Sequence, residues 1–217
     1  MGFSIAIDGP AAAGKSTAAR RIAHELDYIY IDTGAMYRAM GLYLLRKGIM
    51  PTNVEVISTQ CTDADISIIY ENNEQIVCLN GENVNGLIRT EEIGNVASAI
   101  GIVPAVRKKL VALQRKLAEN ANVVMDGRDI GTCVLPNADI KIYLTANSEV
   151  RAKRRYLQLM KKGEQCDLEM VAKELRERDH QDMTREISPL RQAEDAIMIN
   201  TSDMDIEQMV GTILSLL

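Results

Sequence analysis

Residues 9–16 read GPAAAGKS and fit the phosphate-loop pattern G-x-x-x-x-G-K-[ST] at every specified position. Glycines at the first and sixth positions let a loop turn tightly, so that successive backbone N–H groups can point at a bound phosphate. Lys15 would neutralise charge on the β- and γ-phosphates, and the Ser16 hydroxyl is suited to ligate Mg²⁺. Thr17 lies one residue further into the predicted helix and can contact the α-phosphate. The pattern predicts binding of nucleotide phosphates and leaves the reaction open.

A second candidate group follows the apolar run VVM at residues 123–125. This run predicts a short strand that ends at Asp126, and ligands of open α/β sheets bind at the carboxyl ends of the strands. Asp126 would either hold a water molecule bound to Mg²⁺ or position the acceptor of a transferred group. Gly127 permits a tight turn, which Arg128 and Asp129 follow directly.

The segment DTGAMYR at residues 32–38 follows another predicted strand. Asp32 would end that strand, and Thr33 can cap the helix that comes next. Arg38 lies one turn into this helix, and the fork of a guanidinium group suits phosphate oxygens, so we expect Arg38 to contact a ligand phosphate. Tyr37 either packs in the core or flanks a nucleobase, and the sequence leaves both roles open.

Basic side chains are concentrated in residues 151–191, where there are eleven Lys and Arg and eight Asp and Glu. Two predicted helices there align charged side chains at helical spacing: Arg151 with Arg155, and Arg178 with Asp182 and Arg185. Faces lined by arginine suit a transition state that spreads negative charge over a transferred phosphoryl group. We expect no catalytic role for either histidine: His180 is predicted to be exposed, and His24 to be a surface or a packing residue.

Short apolar runs alternate with helical patterns, which is typical of a parallel α/β sheet flanked by helices. The strands are predicted at residues 3–8, 28–31, 123–126, 140–145 and 196–199. The helices are predicted at residues 16–26, 35–47, 104–120, 148–162, 167–183 and 205–216. Residues 65–90 instead carry two strand-like runs around a turn-like ENNE, which predicts a small antiparallel insertion. We find no internal repeat and no linker, so we expect residues 1–217 to form a single domain.

Composition narrows the class of protein further. The 217 residues are 47% hydrophobic and 25% charged, which is ordinary for a folded domain, and no apolar run approaches the roughly 18 residues of a membrane span. The N-terminus lacks the basic start of a signal peptide. Four cysteines without a C-x-x-C pair predict scattered thiols in a reducing cytoplasm rather than a zinc site. A net charge of −5 disfavours a general nucleic-acid binder.

At these residues the chain resembles the bacterial cytidylate kinases, which are nucleoside-monophosphate kinases. The resemblance covers essentially the whole chain through GPAAAGKST, IDTGAMYR, the IRT and ASAI segments, MDGRDIGT, RAKRR, ERDHQD and IMINTSDMDIEQ. It implies a P-loop NTPase-type core, ATP as co-substrate, Mg²⁺, and phosphorylation of CMP or dCMP to CDP or dCDP. It also implies a mobile CMP-binding part at about residues 33–99, with the β insertion at about 62–90, and a short helical lid at about 151–166.

The resemblance implies a role for each matching position. ATP would be bound by Gly9, Pro10, Ala11, Ala12, Ala13, Gly14, Lys15, Ser16, Thr17, Arg151 and Arg155, with Ser16 as the metal ligand. The CMP phosphate would be bound by Arg38 and Arg128, with Arg107 and Arg185 nearby. The cytosine would be read by Ser98, Arg107 and Asp129, with Tyr37 as an aromatic candidate, and the sugar would be contacted by Thr33, Arg178 and Asp182. The catalytic set would be Lys15, Asp126, Arg128 and Arg185.

One position departs from the family pattern, because many relatives have serine where this chain has Thr33. The change keeps the hydroxyl and adds a methyl group, so it puts only the tolerance for ribose and deoxyribose in doubt.

Three other interpretations compete with this one. The chain could be a P-loop kinase for UMP or another small acceptor. It could be a GTP-dependent switch protein, although the N-K-x-D pattern expected for guanine recognition is absent. It could bind nucleotides without catalysis, which would leave the arginine-rich stretch unexplained. We expect a cytoplasmic enzyme of pyrimidine metabolism that works as a monomer on small molecules and binds neither a membrane nor a nucleic-acid polymer.

Overall fold

Residues 2–71 and 74–217 are described by the computed structural model. Their strands are β1 Ser4–Asp8, β2 Ile29–Asp32, β3 Ile66–Glu71, β4 Glu74–Leu79, β5 Glu82–Asn83, β6 Val123–Asp126, β7 Ile140–Thr145 and β8 Ile197–Asn200. Their α-helices are α1 Lys15–Leu26, α2 Thr33–Arg46, α3 Val54–Gln60, α4 Glu91–Ile100, α5 Pro104–Ala118, α6 Ser148–Lys161, α7 Leu168–Thr184 and α8 Ile206–Leu214. Two compact units result: the central unit, residues 29–123 with Gly2, and the terminal unit, residues 3–28 and 124–217.

The terminal unit is built on a parallel sheet. Its strands lie side by side in the order β6-β1-β7-β8, with Ile7 opposite Ile142 and Ile142 opposite Ile197 in the parallel pairs. The side chains of Ile5 and Ile7 are fully buried, as expected for a parallel sheet that is covered by helices. Helix α1 packs with α8, and α6 packs with α7. The predicted parallel α/β core is therefore confirmed.

Asp8 ties the end of β1 to a π-helical turn, Ile130–Val134. Its Oδ1 accepts a hydrogen bond from the backbone N–H of Ile130, and its Oδ2 accepts one from that of Gly131, both at 2.8 Å. Burial raises the pKa of this carboxyl from 3.8 to about 6, although the two N–H donors act in the opposite direction. There is little room for a side chain at Gly131, because a Cβ there would lie 3.1 Å from Cδ of Lys141.

In the central unit, β3, β4 and β5 form an antiparallel sheet in that order, and Tyr70 lies opposite Gln75 in the β3–β4 hairpin. The predicted antiparallel insertion is therefore confirmed, although two residues of the predicted ENNE turn, 72 and 73, lie outside the described residues. Helix α2 packs on α4 and on β4. At the contact of the two helices, a Cβ on Gly41 would lie 3.3 Å from Cγ1 of Val96 and 3.4 Å from the backbone nitrogen of Ala97.

The predicted helices and strands outside the hairpin are all present, with ends shifted by at most two residues. Helices α3 and α4 were not predicted. Helix α3 has only seven residues, which is too short for a periodic pattern. Helix α4 carries a start signal, because Thr90 accepts a hydrogen bond from the N–H of Ile93, but Gly94 and Asn95 have low helix propensity and weaken the pattern.

Several expectations from composition can be compared with the structure. His180 is exposed, as predicted, and His24, for which a surface and a packing position were both open, is exposed as well. The four cysteines form no disulfide, and Cys61 and Cys78 are buried. Within the described residues, no helix combines the length and the hydrophobicity that crossing a bilayer requires.

Two helical glycines allow a test of the close contact between α2 and α4. Gly94→Ala should raise the free energy of unfolding by up to about 1 kcal/mol, because alanine favours helix and nothing lies within 4 Å of the added Cβ. Gly41→Ala should gain less than this or be destabilising, because its Cβ must displace Val96. Urea unfolding of the two variants measures the difference. An equal or larger gain at Gly41 would show that the helices are not tightly packed there.

Asp8→Asn should remove a pH-dependent part of the stability. The folded carboxyl, with its raised pKa, binds a proton more tightly than the unfolded one, so its contribution to stability falls as the pH rises from about 4 to about 6. The wild type should therefore lose up to about 3 kcal/mol relative to Asp8→Asn over this range. Urea unfolding between pH 4 and 7.5 measures it, with the exposed Asp203→Asn as the matched charge control. A difference that stays constant with pH would contradict the assignment.

Candidate active site

The phosphate loop, residues 9–14, connects β1 to α1 in the terminal unit. Gly9 has a φ of 145°, and a Cβ there would lie 2.0 Å from the carbonyl oxygen of Leu144, so only glycine fits. Ala12 and Gly14 have φ of 59° and 99°. Backbone of alternating hand forms a concave array of N–H groups that suits an anion. The N-cap of α1 is Gly14, so no side chain competes with a ligand for the first amides of the helix.

Side chains from distant parts of the terminal unit hold the backbone of this loop. Asp179 accepts a hydrogen bond from the N–H of Ala11 at 3.2 Å and forms a buried ion pair with Arg151. The Nη1 of Arg151 also donates to the carbonyl of Ala11 at 3.2 Å, and the hydroxyl of Thr201 donates to the carbonyl of Ala13 at 3.1 Å. Sequence reasoning assigned Asp179 no role, although its place on the arginine-lined helix was an available signal.

Lys15 is almost fully buried next to the loop. Its Nζ donates a hydrogen bond to the carbonyl oxygen of Pro10 at 2.7 Å. Burial, and then the positive charge of Arg128, lower the pKa of this ammonium group from 10.5 to about 7. A phosphate anion beside Nζ would raise the pKa again, so binding of such an anion would favour the charged lysine.

Ser16 and Asp126, which the sequence nominated separately, are in direct contact. The Ser16 hydroxyl donates a hydrogen bond to Oδ2 of Asp126 at 2.8 Å. A hydroxyl and a carboxylate at the start of α1 and the end of β6 form a set of hard oxygen donors, which fits Mg²⁺ with waters and phosphate oxygens as its further ligands.

A buried network of two arginines and two aspartates lies in the same unit. Arg128 donates from Nε to Oδ2 of Asp182 at 2.7 Å. Arg185 lies 3.7 Å from Oδ1 of Asp182 and 3.6 Å from Oδ1 of Asp129. Burial alone would raise the pKa of Asp182, but the charges of Arg128 and its other arginine neighbours lower it overall, so this carboxylate stays ionised. Arg178 lies half-buried one turn before Asp182 on α7.

In the central unit, β2 leads directly into α2. Asp32 is the N-cap of this helix, because its Oδ1 accepts a hydrogen bond from the N–H of Ala35 at 3.0 Å. The expectation that Thr33 caps the helix is therefore wrong. Thr33 is instead the first helical residue and is buried, since α2 begins two residues before its predicted start at residue 35. Tyr37 and Arg38 follow on the same helix and are half-buried.

Helices α4 and α5 carry the other two nominated residues of the central unit. Ser98 lies near the end of α4 and is half-buried. Arg107, on α5, is buried, and its Nη1 donates to the carbonyl of Gly101 at 3.4 Å. Arg107 is therefore not directed to open solvent.

The nominated residues thus fall into two sets, each described within its own unit. The central unit holds Thr33, Tyr37, Arg38, Ser98 and Arg107. The terminal unit holds residues 9–17, Asp126, Arg128, Asp129, Arg151, Arg155, Arg178, Asp182 and Arg185. The terminal set has the parts that binding of a nucleotide polyphosphate requires: a loop with positive φ at three residues, a buried lysine, a hydroxyl beside a carboxylate, and arginines held by aspartates.

Solved structures with a similar fold include a shikimate kinase and a gluconokinase. A shikimate kinase from Bacteroides thetaiotaomicron matches with a TM-score of 0.52 at 14% identity, over 99% of this chain and 97% of that one. A gluconokinase from Sinorhizobium meliloti matches with a TM-score of 0.50 at 14% identity, over 98% and 90%. At such low identity the likeness establishes the fold alone, which agrees with the predicted parallel sheet core flanked by helices.

Sequence comparison is more specific. The family model for cytidylate kinase matches residues 5–217. The cytidylate kinase of Caldicellulosiruptor bescii is 48% identical over 214 residues, which cover 99% of this chain and 95% of the relative. That of Geobacillus sp. strain WCH70 is 48% identical over 212 residues, which cover 98% and 95%. With a full-length match to the family model and relatives at this identity, the chain belongs to the cytidylate kinase family.

Proposed function

We propose that this protein transfers the γ-phosphoryl group of ATP to CMP or dCMP, giving CDP or dCDP and ADP. The observation that carries the proposal is the phosphate loop, in which a buried Lys15 lies beside the loop backbone and Ser16 is bonded to Asp126. Membership of the cytidylate kinase family supplies the acceptor.

On the donor side, residues 9–17 bind the ATP phosphates through backbone N–H groups and the Ser16 and Thr17 hydroxyls. Lys15 exchanges its hydrogen bond with the Pro10 carbonyl for one with a phosphate oxygen, which restores its full positive charge. Arg151 keeps the loop in shape through Ala11 and Asp179, and we assign Arg155, one turn further along α6, to the ATP phosphates as well. We assign residues 151–166 as the lid that covers ATP.

Ser16 is the proposed protein ligand of Mg²⁺, and Asp126 holds one of its waters. The bound ion would neutralise charge on the β- and γ-phosphates. The Ser16 hydroxyl donates to the Asp126 carboxylate, so the two oxygens that would serve the ion are adjacent.

On the acceptor side, Arg38 of the central unit and Arg128 of the terminal unit bind the CMP phosphate. Arg107 and Arg185 lie near it. Asp182 accepts a hydrogen bond from Nε of Arg128 and forms an ion pair with Arg185. These two contacts fix the direction of both guanidinium groups. Ser98, Arg107 and Asp129 read the cytosine, Tyr37 flanks it, and Thr33, Arg178 and Asp182 contact the sugar.

The chemistry requires no covalent enzyme intermediate and no strong base, because the CMP phosphate oxygen is already a nucleophile. Catalysis then depends on alignment of donor and acceptor, and on stabilisation of the charge that spreads over the transferred group by Lys15, Arg128 and Arg185. Exclusion of water by closure of the lid and the CMP-binding part would suppress hydrolysis of ATP. Cysteines without disulfides suit the reducing cytoplasm that we propose as its location.

A panel of acceptors tests the function directly. With Mg²⁺ and ATP held fixed, we expect CMP and dCMP to give the highest kcat/KM among CMP, dCMP, UMP and AMP. A coupled assay of ADP release measures each rate, and a reaction without acceptor corrects for ATP hydrolysis. A higher kcat/KM for UMP, or no transfer to any of the four, would overturn the proposal.

Arg128→Ala should reduce turnover of CMP about 10²–10³-fold, because one charged donor to the transition state is lost. Binding of ATP should persist, because the phosphate loop keeps its own contacts. Steady-state rates and calorimetric titration of ATP separate the two effects. Arg176→Ala, at an exposed position on α7, is the matched control and should retain turnover. Unchanged turnover in Arg128→Ala would remove Arg128 from the catalytic set.

A further inference from the structure

The end of β2 is held by side chains of the β3–β4 hairpin, which the proposed function does not use. The hydroxyl of Tyr70 donates a hydrogen bond to the carbonyl of Tyr30 at 3.2 Å. The side-chain amide of Gln75 accepts from the N–H of Asp32 at 2.8 Å and donates to the carbonyl of Asp32 at 3.3 Å. We call Tyr70 and Gln75 the strand clamp.

The strand clamp takes the place of a neighbouring strand. In extended backbone, the polar groups of residues i and i+2 point to the same side, so those of Tyr30 and Asp32 share one edge of β2. Tyr70 and Gln75 are directly opposite each other in the hairpin, so one cross-strand pair reaches both residues. The amide of Gln75 satisfies a backbone donor and a backbone acceptor together, as a paired strand would.

The backbone of Gln75 is itself held in place. The side-chain amide of Asn85 donates to the carbonyl of Gln75 at 2.8 Å and accepts from the N–H of Val77 at 3.0 Å. Gln75 is half-buried. Asn85 therefore holds the backbone of β4 at both the carbonyl of Gln75 and the N–H of Val77. This limits the freedom of the Gln75 side chain to move.

Asp32 passes this restraint on to α2. Its Oδ1 caps the helix through the N–H of Ala35, and its Oδ2 accepts a hydrogen bond from Nη2 of Arg89 at 2.8 Å. With its N–H, its carbonyl and both carboxylate oxygens bonded, Asp32 determines where the first turn of α2 begins. That turn starts with Thr33 and leads to Arg38, two of the residues proposed above to contact CMP.

We propose that Gln75, together with Tyr70, is a positioning residue for the acceptor, acting through Asp32 on the first turn of α2. The inference rests on the proposed function, because it assigns the purpose of the clamp to CMP binding. It also gives the antiparallel insertion a role beyond filling the surface: the insertion keeps Thr33 and Arg38 oriented before the acceptor arrives. A small displacement of a positioning element can cost a large factor in rate or affinity.

Gln75→Leu tests this inference, because it keeps the volume of the side chain and removes both hydrogen bonds. We expect the KM for CMP to rise about tenfold, the effect of one to two hydrogen bonds, while the KM for ATP stays within about twofold. Tyr70→Phe, which removes only a hydroxyl, should raise the KM for CMP by a smaller factor. Glu74→Leu adds the same apolar side chain at the neighbouring exposed position of β4 and should change neither KM.

Amide hydrogen exchange provides a measurement that is independent of activity. We expect exchange at Asp32 and Ala35 to become faster in Gln75→Leu and to be unaffected in Glu74→Leu. A lower melting temperature without a selective rise in the KM for CMP would overturn the positioning role, as would an equal rise in both KM values. If Gln75→Leu does not fold, the same measurements on Tyr70→Phe decide. If the wild type fails to phosphorylate CMP, the proposed function falls, and unchanged exchange at Asp32 and Ala35 would then separately exclude the clamp.

Discussion

The shape of the phosphate loop is the constraint on which the rest of the terminal unit depends. A loop that directs its amides at a ligand cannot use them for its own secondary structure, so its remaining backbone groups must be satisfied from elsewhere. Asp179 bonds to the N–H of Ala11, while Arg151 and Thr201 bond to the carbonyls of Ala11 and Ala13. Helices α6 and α7 and the segment after β8 are therefore needed to shape this loop as well as to cover the sheet.

The same unit buries several charges, which would be unfavourable without close partners. A buried ion pair is not a strong source of stability by itself, because desolvation offsets much of the attraction. In this protein the arginines and aspartates around Asp182 instead form a preorganised network, in which Asp182 and Asp129 restrain Arg128 and Arg185. A phosphate ligand could bind to these arginines without the reorganisation that solvent-exposed side chains would require.

The central unit orients helix α2, whose first two turns carry Thr33 and Arg38, the residues that we propose contact the acceptor. Strand β2 has only four residues, so by itself it restrains the direction of α2 weakly. Side chains of the antiparallel hairpin extend it by bonding to its open edge, and Arg89 adds a bond to the capping carboxylate. The insertion and the start of α2 thus form one connected hydrogen-bonded structure within this unit.

Much of the fold and part of the site could be predicted from the sequence because they depend on local rules. The phosphate loop follows from glycine spacing after an apolar run, and the sheet follows from apolar runs that alternate with helical patterns. Helix α4 was missed because its glycine and asparagine weaken that signal. The cap of α2 was misplaced by one residue because Asp32 and Thr33 are both residue types that favour an N-cap.

By itself, the sequence determined the phosphate loop, the alternating α/β architecture and the residues that are chemically able to bind a nucleotide. Only the tertiary structure decided that Asp8 holds the turn after β6, that Asp179 supports the loop, that Lys15 is buried enough to lower its pKa, and that Gln75 bonds to Asp32. The physical reason is distance along the chain. The partners of Asp8 and Asp179 lie 122 and 168 residues away, and no local periodicity or propensity specifies which buried polar groups will meet when the sheet and its helices pack.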